Sequence, residues 1–248
     1  MSPTDKSQQA SAPDADVTQA ASRPSGTSPL GPDAASILAT EHWSLLGTRS
    51  MLWNEAVSRT MVFLTVLSAA MVALALLADA TGFGTKSTTL ALVVLPVVLF
   101  LGVATHARLV QVNSDEKQTV LAMNRLRHAY LEIAPGLAPY FTAGHHDDEH
   151  GFLTSYQLAS PSVLRPRAAF VVATPTVIAV VDAALAAAIA VLIAQVAEAP
   201  MAVVVIAGTA AFVVAAAALL GLQRQNLDPL RGTTPRFPTP AEDSSTAG

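Results

Sequence analysis

The chain has no cysteine, few aromatic residues (5%) and little charge (13%). Without cysteine, disulfides, zinc–thiolate centres and thiol nucleophiles are excluded. The charged fraction is about half of the roughly 25% expected of soluble domains. The net charge is only −4, and no basic stripe interleaves with aromatics, so the electrostatic footprint of a nucleic-acid binder is missing. Nucleotide-binding loops, nucleophile elbows and zinc-protease helices are absent too. The expectation is a protein that is not an enzyme and carries no cofactor.

Apolar residues fill the space that these absences leave. Four stretches, residues 60–78, 88–105, 172–197 and 201–222, hold almost none of the charge. Each is long enough to cross a hydrocarbon core of roughly 30 Å at about 1.5 Å per residue. Soluble helices of this length would carry a polar stripe at a 3.6-residue period, and residues 90–102 (LALVVLPVVLFLG) have none. Peptide groups in hydrocarbon find no water, so the runs must be helices. The expected fold is an all-α membrane protein with four transmembrane helices arranged as two hairpins.

Basic residues orient the spans. Of the fourteen Lys and Arg residues, only Lys86 falls in the short connections 79–87 and 198–200. The rest flank the other ends of the spans, including Arg59, Arg108, Lys117, Arg125, Arg127, Arg165, Arg167 and Arg224. Positive residues remain on the cytoplasmic side. This places both termini and the central loop in the cytoplasm, with the spans in the cell inner membrane and the lipid bilayer as their surroundings.

Residues 1–35 and 223–248 are rich in Ser, Ala, Pro and Asp. They lack the apolar surface needed to offset ordering entropy, which predicts disordered cytoplasmic tails. The first thirty-odd residues contain no apolar run of the kind a secretory signal carries. In residues 36–59, Leu38, Leu45, Leu46, Leu52, Trp53 and Ala56 recur at helical spacing, and Trp43 and Trp53 are the only tryptophans. An amphipathic helix lying in the headgroup zone is expected there. The cytoplasmic central loop, 106–167, predicts a helix over about 109–133 that ends at Pro135-Gly136.

Asp182 is the polar residue that breaks the apolar rule, near the middle of the third span. A carboxylate at that depth costs at least about 2.5–3.5 kcal/mol on insertion scales. It is read either as an ion- or proton-handling group of a small oligomeric transporter or channel subunit, or as a structural residue bonded to a neighbouring helix. His145, His146, Asp148 and His150, in the run HHDDEH, have the composition of a metal site, which would make the protein metal-responsive. Their spacing suits a solvated loop equally well. His106, at the cytoplasmic end of the second span, is expected at the interface. Arg125, Arg127, Tyr130, Tyr140 and Phe141 form a candidate contact surface, since interfaces favour aromatics and Arg. In the last two spans Ala179, Ala183 and Ala187, and Ala207, Ala211 and Ala215, recur every four residues, a spacing that lets helix backbones approach closely.

Three blocks, EHWSLLGTRSMLWNEAVSR at 41–59, MNRLRHAYLEIAPGLAPYF at 123–141 and HHDDEHG at 145–151, resemble a family of uncharacterised four-span integral membrane proteins from high-GC Gram-positive bacteria. The resemblance covers about residues 35–222 and implies a membrane location without a defined activity. The functional expectation is a non-enzymatic membrane component acting through its cytoplasmic loop, on a membrane protein partner or as a homo-oligomer.

Overall fold

The structure, a computed structural model, describes residues 33–82, 84–156, 174–225 and 234–240. Among them every regular element is helical. We label the α-helices α1 (Ala34–Thr81), α2 (Thr85–Ile133), α3 (Glu149–Ser155), α4 (Thr174–Val196) and α5 (Met201–Gln225), with a short 3-10 turn, Pro135–Tyr140, between α2 and α3. Helices α1, α2, α4 and α5 are each long and apolar enough to cross a membrane. The chain is therefore a multi-pass membrane protein.

The two long helices exceed what a bilayer requires. At 48 and 49 residues, α1 and α2 run about 70 Å, more than twice the hydrocarbon thickness. The boundary expected near Arg59, between an interfacial helix and the first span, is absent, and α1 passes through it unbroken. No proline interrupts this stretch. Its polar section is held against the matching section of α2 by ion pairs: Arg108 grips both oxygens of Glu55 at 2.8 and 2.9 Å, and Arg49 Nε reaches Glu116 Oε1 at 3.2 Å. Arg59 adds a second contact to Glu55 at 2.8 Å. Hydrogen bonds from Arg108 and Arg59 hold the Glu55 carboxyl down to about 2. Partnership with α2 sets the course of this segment.

Helix α1 lies along α2, α4 lies along α5, and α2 joins the two pairs through α4. Gly82, at φ 68°, makes the turn out of α1 in a conformation that suits glycine, and Ser87 Oγ donates back to the Gly84 carbonyl at 2.9 Å. Hydroxyls within the apolar runs are spent locally, as where Thr65 and Thr105 donate to the carbonyls four residues earlier at 2.8 Å. That is how a hydroxyl is tolerated in hydrocarbon. Pro96 lies inside α2 and Pro175 in the first turn of α4, where a missing N–H costs nothing.

Phe63, Leu95, Val98, Leu109, Ile178 and Leu185 form the core where α1, α2 and α4 meet. Ala179 and Ala183 are fully buried. On α5, Gly208 faces the alanine stripe of α4: a Cβ there would crowd Val191 Cγ2 at 2.7 Å and lie 3.8 Å from the Ala187 carbonyl oxygen. In the same core Asp182 is completely buried, and neither carboxylate oxygen has a hydrogen-bond partner among the described residues. The side chain fits only because residue 102 is glycine: a Cβ there would overlap the Asp182 carboxylate and approach Phe63 at 2.9 Å.

Replacing Gly102 with Val should destabilise the bundle by about 1–3 kcal/mol through overpacking. Adding Asp182→Ala should recover much of that loss. Thermal denaturation of the two single variants and the double variant in detergent measures the coupling, and additive losses would show that the two residues do not share this contact.

Candidate functional site

The site stands on the part of α2 beyond the apolar run. Asn124, on the inner face of this extension, is completely buried, and its amide makes four bonds. Nδ2 donates to the carbonyls of His146 and Gly151 at 2.9 and 3.1 Å, while Oδ1 accepts from Arg127 Nη1 at 2.8 Å and from Ser155 Oγ at 2.7 Å. The Gly144 N–H donates to Ser155 Oγ at 3.1 Å. This network wraps residues 144–155 around one amide. It also requires glycine at 151, where a Cβ would overlap the His146 carbonyl.

Asp148 caps α3, accepting from the Gly151 N–H at 2.8 Å, a standard N-cap arrangement. Asp147, just before it, is almost fully buried. Its carboxylate accepts from Arg125 Nε at 2.7 Å and from the backbone N–H groups of Arg236 and Phe237 at 3.0 and 2.8 Å. The second oxygen of Asp148 accepts from the Thr239 N–H at 2.6 Å. In return the Asp147 N–H donates to the Phe237 carbonyl at 3.3 Å, with His146 Nδ1 3.2 Å from the same oxygen. The Phe237 ring stacks on His128 with centroids 4.2 Å apart. Residues 234–240, inside the segment expected to be disordered, are thus seated in a groove between α2 and the 144–155 loop.

Burial pushes the Asp147 carboxyl up, but the N–H groups of Arg236 and Phe237, with Arg125, outweigh it and leave it below the usual carboxylate range. Asp148 behaves alike: burial raises it, and the N–H groups of Gly151 and Thr239 bring it down further. Both groups are thereby held as anions, the form that accepts hydrogen bonds.

The expected metal cluster does not converge. Among the described residues no group of three or more His, Asp or Glu is placed to hold a metal ion. Asp148 is spent on a helix cap and a backbone N–H, His146 faces Phe237, and the His145 and His146 rings pack on one another with centroids 4.2 Å apart. His150 lies within α3. The candidate contact residues also separate: Arg125 is paired with Asp147, Arg127 is half-buried on Asn124, Tyr130 packs near His42 with ring centroids 6.2 Å apart, Phe141 is half-buried, and Tyr140 alone is 78% exposed.

His106 is not interfacial but fully buried. Its Nδ1 lies 3.0 Å from the Pro175 carbonyl and its Nε2 3.1 Å from that of Leu219, joining α2 to α4 and α5. Gln223 Nε2 donates to Thr176 Oγ1 at 3.1 Å in the same layer. Asp182 shares no hydrogen bond with this layer among the described residues.

No protein-family model, curated protein or solved structure matches the chain.

Replacing Asn124 with Ala removes four bonds. Ser155 Oγ still donates to the Gly151 carbonyl at 3.0 Å and Arg127 to the Gly144 carbonyl at 3.4 Å. The His146 carbonyl loses its donor, so the loop should lose about 1–3 kcal/mol for the group left unpaired. Hydrogen exchange should show faster exchange across 144–155, with the spans unchanged. The groove should also release its occupant in acid. Asp147 titrates below the ordinary value of 3.8 when it is engaged, so docking is complete above that value and fades as pH falls through the lowered one. Loss of amide protection at Arg236 and Phe237 below about pH 4, after correction for intrinsic exchange, checks the sign; protection that rises in acid would contradict it.

Proposed function

We propose that the protein is a non-enzymatic component of the cell inner membrane that acts through its cytoplasmic module on a second copy of itself or on another membrane protein. In this reading the four spans form two hairpins, with both termini and the module on the cytoplasmic side, as the placement of Lys and Arg supports.

One observation carries the reading. The first apolar run begins at Thr60, and α1 continues straight back to Ala34. Trp53 then lies about 10 Å beyond the hydrocarbon edge, but Trp43 lies about 25 Å beyond it. Headgroups extend only about 5–8 Å on each side, and a 40° tilt still leaves Trp43 about 19 Å out. Yet Trp43 is 72% exposed and Ile37 68%. Large apolar side chains held outside the membrane and uncovered by the described residues are the mark of a contact surface. Tyr140, with Leu137 beside it on the 3-10 turn, supplies further exposed apolar surface on the same side.

A photo-crosslinking residue at position 43 should yield a discrete adduct in native membranes, while the same probe at Phe100, which is exposed within the second span, should label lipid. Recovery of monomer alone from position 43 would remove the reading. The buried, unpartnered Asp182 favours a second reading, an oligomeric transporter or channel subunit. Under that reading Asp182→Asn abolishes ion flux in vesicles, and unchanged flux rules it out.

A further inference from the structure

The seated segment, Pro235-Arg236-Phe237-Pro238-Thr239-Pro240, matches its groove position by position. The three residues that possess an N–H are 236, 237 and 239, and all three donate to Asp147 or Asp148. The three that lack one are the prolines at 235, 238 and 240. No backbone donor from 235 to 240 is left over. The one large apolar side chain, Phe237, lies on His128, while Arg236, Pro238 and Pro240 remain exposed. Prolines favour an extended, low-entropy backbone, which is why such segments dock on aromatic-lined grooves at modest entropic cost.

The groove does not owe its shape to this occupant. Asn124, Arg127, Gly144, Gly151 and Ser155 hold residues 144–155 through bonds that involve no residue beyond 155. The ion pair of Arg125 with Asp147, at 2.7 Å, likewise involves no residue of the segment. The occupant can therefore leave without dismantling the frame.

We propose that this groove is a recognition site for proline-rich segments of the pattern Pro-x-aromatic-Pro-x-Pro, with residues 234–240 as its resident occupant and an equivalent segment of a partner protein as its exchangeable one. The proposal rests on the reading of the cytoplasmic module as a contact surface. It assigns Asp147 and Asp148 to the ligand's backbone, His128 to its aromatic side chain, and the chain's own tail to the role of competitor. A tethered occupant has an effective concentration in the millimolar range, so an incoming segment must displace it or meet a chain whose tail is weakened.

The test uses the full chain in lipid nanodiscs and a fluorescent peptide of sequence TPRFPTP. The Phe237→Ala chain should bind the peptide at least about tenfold more tightly than the native chain, whose groove is filled. A peptide lacking the phenylalanine ring should not bind. Adding Asp147→Asn or His128→Ala to the Phe237→Ala chain should weaken binding at least about tenfold, with hydrogen exchange across 144–155 confirming that the frame persists. Should Asp147→Asn disturb the frame, His128→Ala decides. Equal binding to native and Phe237→Ala chains, or none to either, overturns the proposal. The position-43 crosslink, measured in parallel, separates the two ideas: if it persists while the peptide fails, the contact reading stands and the groove assignment falls.

Discussion

A peptide group in hydrocarbon can bond only within its own helix, and α2 obeys that constraint without a break for 49 residues. Everything else is mounted on it. Its apolar part contacts both α1 and α4, so it joins the two pairs of spans. Its polar part carries Arg108 and Glu116, which hold the extension of α1, and Asn124 and Arg125, which build and charge the groove. One continuous helix therefore carries both the apolar layer and the groove and fixes the spacing between them.

Two kinds of buried polar group follow from this arrangement, and they behave differently. Asn124 and Asp147 are buried outside the apolar runs and are surrounded by donors or acceptors, so their desolvation is offset by bonds. Asp182 is buried among apolar side chains and a glycine backbone, without such bonds among the described residues. A fully bonded network specifies one arrangement of its loop. An unbonded acid in a tightly packed layer does no such structural work, which sets Asp182 apart from Asn124 and Asp147.

The four apolar runs were legible because lipid leaves a one-dimensional mark: a long stretch without a polar stripe has only one stable form there. Other expectations failed for physical reasons that local pattern cannot carry. Trp43 and Trp53 read as marks of a separate helix ahead of the first span, yet the segment bearing them continues unbroken into that span and is tied to α2 by ion pairs with residues some sixty positions away, such as Arg49 with Glu116. The histidines and acids at 145–150 read as ligands by composition, but ligation depends on convergence, and Asp147 and Asp148 turn toward a segment about ninety residues later. Asn124 gave no signal at all, since one asparagine in an amphipathic stretch looks like any solvated side chain. The tail did carry a trace: prolines at 235, 238 and 240 leave only three N–H groups to be satisfied. That trace gains meaning only beside two adjacent acids.

By itself, then, the sequence determined the all-helical architecture and the four membrane-length helices, because the solvent demands them of any chain so apolar for so long. It also contained the acids, the histidines and the proline spacing of the groove. Only the tertiary structure decided that α1 runs unbroken from Ala34 and pairs with α2 beyond the first apolar run, that His106 is buried between carbonyls of α4 and α5, and that the tail is seated on Asp147 and Asp148. Those outcomes depend on which distant residues become neighbours. Hydrogen bonds and ion pairs act over about 3 Å of space, whatever their separation along the chain.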